Sequence, residues 1–166
     1  MDRDAICDAN PTKNQGGTPK DAGGELYIVY RPIEETHTLT EVVIPYTPRP
    51  LQNDLHTELD KHRWAVIVCH RRFGKTVMAI NHLLRASILS DKKNPRFAYV
   101  APTYRQAKSV AWDYIKQFTS KIPNIKFNET ELRCDLPNGA RITLLGSENP
   151  DSLRGIYLDG CVIDEV

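Results

Sequence analysis

The stretch His70-Arg71-Arg72-Phe73-Gly74-Lys75-Thr76 carries residue types that can bind a polyphosphate. Backbone N–H groups at a helix start point at anionic oxygens, and the helix dipole favours negative charge there. Lys75 would reach the β- and γ-phosphates of a nucleotide as a point charge, and Thr76 would offer its hydroxyl to Mg2+. Gly74 permits close approach of the backbone. The general phosphate-loop pattern, G-x-x-x-x-G-K-S/T, has a glycine where this chain has Cys69. Gly-Lys-Thr alone is a frequent coincidence, and the plain alternative is an ordinary strand–helix turn.

A second constellation lies far downstream. Gly160-Cys161-Val162-Ile163-Asp164-Glu165 is an apolar run ending in two carboxylates. Asp164 would hold Mg2+ through water, and Glu165 would orient or deprotonate an attacking water. The alternative is a solvated strand end. The two motifs together are a stronger signal than either alone, because phosphoryl transfer needs both a phosphate cradle and an acidic pair.

The elements around them have the right pattern. Residues 64–69 form a continuous apolar run of strand length, and 75–90 read as a helix with Val77, Ile80, Leu83, Leu84 and Ile88 on its buried side. Residues 97–101 predict another apolar strand, and 104–118 another helix. Apolar strands alternating with helices imply a parallel sheet covered on both faces. Residues 131–136 and 140–145, joined by Pro137-Asn138-Gly139, predict a β-hairpin, and 161–163 a last strand. Upstream, 25–31 and 42–46 predict a small hairpin of edge strands. Pro45, Pro48 and Pro50 break the chain, and Leu51, Leu55 and Leu59 predict a short amphipathic helix. Residues 1–24, rich in glycine and small polar groups, are expected to be a disordered leader.

Composition excludes several classes. With 166 residues, 40% hydrophobic and 26% charged, the chain suits one globular domain. No apolar run is long enough to span a membrane, and the polar N-terminus has no secretory signal pattern. The four cysteines are widely spaced, so zinc and dithiol chemistry are not expected and a reducing cytoplasm is the natural setting. Cys69 and Cys161 lie in apolar runs and are expected to be small buried hydrophobes. His37, His56, His62, His70 and His82 have no metal-ligand spacing and are read as structural or solvated. Trp112, Tyr104 and Tyr114 are expected to pack between helix and sheet rather than stack on bases. Net charge is +1, yet residues 61–141 carry +11 between acidic flanks. Such a segment can face polyphosphate or nucleic acid, although most of its lysines are expected on a solvated face.

Taken in order, these stretches resemble the large terminase subunit of tailed bacteriophages, the motor that packs DNA into a capsid. Tyr46-Thr47-Pro48-Arg49-Pro50-Leu51-Gln52 looks like that family's adenine-contacting segment, with Gln52 as the implied base contact. Residues 69–76 look like its deviant phosphate loop, in which arginine replaces glycine-rich sequence; this accounts for Cys69. Ala101-Pro102-Thr103, with Tyr104, Arg105 and Gln106, is similar to the segment after the second core strand. Gly146-Ser147-Glu148-Asn149-Pro150 and Ser152-Leu153-Arg154-Gly155 lead, as in the family, into the acidic strand.

The resemblance implies an α/β fold of the P-loop NTPase (ASCE) type, a parallel sheet flanked by helices. Residues 25–166 would be the N-terminal part of the ATPase domain, with the sheet incomplete at its C-terminal end and the nuclease domain absent. It implies ATP and Mg2+ as cofactors, with Arg72, Phe73, Gly74, Lys75 and Thr76 at the nucleotide and Thr76 and Asp164 at the metal. Glu165 would be the catalytic acid–base group, Arg71 an arginine acting within its own subunit, and Arg154 one donated to a neighbour in a ring. Implied partners are double-stranded DNA, further copies of the chain in a homo-oligomeric ring, the small terminase subunit and the portal protein, in the bacterial host cytoplasm without a membrane. Two other readings stay open: a helicase-like DNA-translocating ATPase, and a non-catalytic nucleotide-binding fragment. Arg71-Arg72 with Cys69 favours the terminase over the helicase. Arg154 has its own plain alternative, an ion pair with Asp151 or Asp159.

Overall fold

The computed structural model describes residues 26–30 and 40–165. The leader expected over 1–24 lies outside them, as do Cys7 and His37. Strands β1 (Leu26–Tyr30) and β2 (Thr40–Ile44) pair antiparallel, as the alternation of apolar residues predicts. Helix α1 (Pro50–Leu59) follows. Pro50 sits at its first position, where no N–H is needed, and the Gln52 side chain accepts from the Arg49 N–H at 2.9 Å.

Helix α2 (Lys75–Leu89) buries Met78, Ile80, Leu83, Leu84 and Ile88. Strand β3 (Arg96–Ala101) is buried from Phe97 to Ala101. A continuous helical segment then runs over 104–119: α3 (Tyr104–Gln106), a π-helical stretch (Ala107–Trp112) and α4 (Asp113–Thr119). Trp112 is buried within it, the packing role expected of it. Strands β4 (Lys126–Asn128), β5 (Arg133–Asp135) and β6 (Arg141–Gly146) form an antiparallel meander. A 3-10 turn (Pro150–Leu153) precedes β7 (Gly160–Ile163).

The larger sheet has the order β4-β5-β6-β3-β7. Strands β6, β3 and β7 are parallel, while β4 and β5 are antiparallel. The sheet is therefore mixed, with a parallel core of the α/β kind. Phe97, Tyr99, Ile142, Leu144 and Val162 share a core with α2 residues, the 104–119 helix and Ile44.

Two expectations are overturned. Residues 64–69 form no strand, and Trp64, Val66 and Val68 are 78%, 91% and 90% exposed. Cys161 is exposed and Cys69 only half-buried, so neither is a core residue. The two corrections share a cause. Cys161 and Ile163 stand beside Ala98 and Val100 of β3, on one face of the sheet, and at β7 that face is open. An apolar run is hidden only if a ladder partner and a covering layer exist, and among the described residues none pairs with 64–69.

Candidate active site

The loop enters α2 through Gly74, at φ 86° and ψ 34°. That left-handed conformation suits glycine, and a Cβ there would lie 2.8 Å from Gln52 Nε2. Arg72 also adopts positive φ, at 65°, so the chain turns sharply twice before the helix. The first helical bond runs from the Met78 N–H to the Gly74 carbonyl at 3.0 Å. Lys75 and Thr76 thus occupy the first turn, where backbone N–H groups lack helical acceptors and are available to an anion.

Across from this turn stands the acidic strand end. The Thr76 hydroxyl donates to Asp164 Oδ2 at 2.9 Å, joining residues 88 positions apart. The Asp164 N–H donates to the Val100 carbonyl at 2.9 Å, extending the β3–β7 ladder by one step. Glu165 follows with φ 57° and an exposed side chain. Thr76, Tyr99, Gln106, Asp164 and Glu165 line one open cleft. The Tyr99 hydroxyl donates to the same Asp164 Oδ2 at 2.6 Å. Burial, then this hydrogen bond, raises the Tyr99 pKa far above that of a free phenol, so it stays a donor. Sequence reasoning missed Tyr99. The one available signal was a polar atom inside the otherwise apolar run 97–101, which side-chain packing explains equally well.

Behind the loop lies a strut. The Gln52 amide donates to the carbonyls of Phe73 and Gly74 at 3.2 and 3.4 Å, and the Arg49 guanidinium to those of Phe73 and Arg72 at 3.3 and 3.4 Å. Gln52 Oε1 accepts from the Tyr46 hydroxyl at 3.4 Å, and Tyr46 meets His56 Nε2 at 3.2 Å. His56 Nδ1 faces His82 Nδ1 at 3.1 Å, with the two rings stacked 5.3 Å apart. One directional assignment satisfies the chain. His82 Nδ1–H donates to His56, His56 Nε2–H to Tyr46, and the Tyr46 O–H to Gln52. His56, which accepts at one ring nitrogen and donates from the other, is then neutral. Burial, with His82 and Arg85 adding to it and Asp60 opposing, lowers His56 from 6.5 to about 4. Tyr46 is pushed up to about 12, chiefly by burial. The structural reading of His56 and His82 fits this geometry, although their spacing concealed that they meet.

The structure thus gathers Gln52, Phe73, Gly74, Lys75 and Thr76 around the helix start, with Asp164 and Glu165 opposite. Arg71 and Arg72 are exposed on the turn. Arg154 is not brought to the cleft. It pairs with Asp151 at 3.2 Å and is 84% exposed, a contact of little energetic weight. Among the described residues no three His, Cys, Asp or Glu side chains converge as a metal cage. A hydroxyl beside one carboxylate at the first turn of a helix nevertheless fits Mg2+, which takes few protein ligands and completes its shell with water and phosphate oxygens.

Comparison with known proteins fits this geometry. The family described as "Terminase large subunit, T4likevirus-type, N-terminal" matches residues 67–166. Among solved structures, a Thermus phage large terminase ATPase domain superposes with a TM-score of 0.53 at 20% identity, over 72% of this chain. The likeness is one of fold, and this chain spans 54% of the length of that domain. No curated protein sequence matches the chain. None of the helices among the described residues is long and apolar enough to cross a membrane. The match across 67–166, more than half of the chain, shows that it belongs to the T4likevirus-type terminase large subunits, within their N-terminal region.

Proposed function

We propose that this chain binds ATP with Mg2+ at the start of α2 and that its residues belong to the motor that drives double-stranded DNA into a capsid. The observation that carries the reading is the 2.9 Å bond between Thr76 and Asp164. A phosphate-loop hydroxyl and a strand-end carboxylate are brought together there, as a nucleotide-bound Mg2+ requires.

Bound Mg2+ would neutralise charge on the phosphate oxygens. Lys75 and the N–H groups of residues 73–76 hold those oxygens, and Thr76 and Asp164 hold the metal. Glu165 orients and deprotonates the attacking water. Its positive φ of 57° is a costly conformation for a non-glycine residue, of the kind that clusters at functional sites. Arg71, exposed on the turn, stabilises charge within its own subunit. Arg154 is released from a weak surface pair to serve a neighbouring copy in a ring. Gln52 supports the loop from behind. For it to read the adenine edge, it would give up its long bonds to Phe73 and Gly74. The whole motor would engage DNA, the small terminase subunit and the portal protein.

Calorimetry with ATP and Mg2+ tests the site. Lys75→Ala should weaken binding by about tenfold or more, about 1.4 kcal/mol. Equal affinity for the wild type and the variant would sink the assignment.

A further inference from the structure

Asp164 is the carboxylate this reading gives to the metal, and its orientation is controlled from β3. In the β3–β7 register Tyr99 stands opposite Val162, and Val100 opposite Ile163. Side chains alternate along a strand, so Asp164 shares a face with Val162 and Tyr99. The backbone of Asp164 is held by the Val100 carbonyl at 2.9 Å. Its side chain is held by the hydroxyl of Tyr99, the preceding residue of the same strand, at 2.6 Å. Thr76 adds a second donor to that same oxygen. Both hydrogen bonds fall on Oδ2, and among the described residues none falls on Oδ1.

We infer that Tyr99 is a positioning residue for the metal-binding carboxylate: its buried hydroxyl holds Asp164 Oδ2 and so presents Oδ1 to Mg2+. The inference rests on the Mg2+–nucleotide reading above. The Thr76 hydroxyl must turn a lone pair to the metal, yet it can keep its proton on Asp164. The Tyr99 donor is fixed on Asp164 by the rigid ring and the buried strand, with the Thr76 hydroxyl beside it. Hydrogen bonds to a metal ligand commonly influence metal affinity by about 10- to 100-fold. A tyrosine that only fills the core would leave Mg2+ dependence alone.

The experiment measures binding of a fluorescent ADP to the full chain, with Mg2+ titrated and with EDTA. Tyr99→Phe keeps the buried ring and removes the hydroxyl, and its thermal melt, read beside that of the wild type, shows that the fold is kept. We expect the Mg2+ midpoint to rise about tenfold, with the affinity in EDTA unchanged. In an Asp164→Asn background the tyrosine change should add nothing. An unchanged midpoint, an equal loss in EDTA, or full additivity with Asp164→Asn would each overturn the inference while leaving the nucleotide site standing. A wild type whose ADP binding ignores Mg2+ would overturn both.

Discussion

The two ends of the loop that leads into α2 are built very differently. From Arg72 onward the chain is anchored. Gln52 holds its carbonyls, Thr76 is tied to Asp164, and Met78, Ile80 and Leu84 are buried beneath it. The lead-in over 64–69 is loose. Residues 64–69 are as apolar as β3, but they form no ladder and Trp64, Val66 and Val68 face outward. Hydrophobicity supplies a reason to be buried, whereas burial itself needs a partner. A loop braced from residue 72 onward can present Lys75 and Thr76 correctly while the side chains of Arg71 and Arg72 stay exposed.

The strongest way to sharpen the contrast is at the acidic strand end. In a complete terminase large subunit Glu165→Gln should lower ATP turnover by about 10²- to 10⁴-fold. Nucleotide affinity should hold, because Glu165 makes none of the Thr76–Asp164 contacts. Wild-type turnover in that variant would remove Glu165 from the chemistry.

Within the anchored half, Leu84→Ala deletes a fully buried side chain of α2. It should destabilise the fold by about 2–5 kcal/mol in chemical denaturation. A loss below about 1 kcal/mol would mean that α2 is not held by its buried face.

The histidine pair gives the strut a pH dependence. In the fold His56 lies at about 4 against 6.5 when unperturbed, and His82 is lowered too, mainly by burial. Between those values the unfolded chain binds more protons than the folded one. Stability is therefore unaffected above about pH 6.5 and declines as pH falls towards 4. The His56 share is on the order of 3 kcal/mol. Groups facing the pair are Tyr46, Asp60 and Arg85. Thermal melts between pH 7.5 and 5 should show a shallower decline in His56→Gln than in the wild type, and identical slopes would refute neutral stacking.

The smallest effect belongs to the loose end. Val66→Ala should change stability by less than about 0.5 kcal/mol, because nothing buries that side chain. A loss comparable with that of Leu84→Ala would show that 64–69 is covered in solution, and the comparison between the two ends would collapse.

Much of the fold was legible in the sequence, and for local reasons. The 3.6-residue apolar period of 75–90, the Asn138-Gly139 turn and the β-type runs at 25–31 and 42–46 each depend on neighbours in the chain. All four became elements close to their expected bounds. The reading failed where it had to assume a distant partner. The run at 64–69 needed a ladder partner and Cys161 a layer over its face of β7, and no local pattern carries that information.

The candidate site divides along the same line. Gly74-Lys75-Thr76 and Asp164-Glu165 can be named from residue type, because phosphate and metal chemistry restricts which side chains serve. What the sequence alone determined was therefore the list of groups and the elements that begin or end at them. Only the tertiary structure decided that Thr76 and Tyr99 share one oxygen of Asp164, that Gln52 braces Phe73 and Gly74, and that His56 meets His82. These contacts join residues 21 to 88 positions apart. They follow from strand register and helix packing, which place side chains to within a hydrogen-bond length, whereas a sequence pattern specifies only which face each side chain occupies.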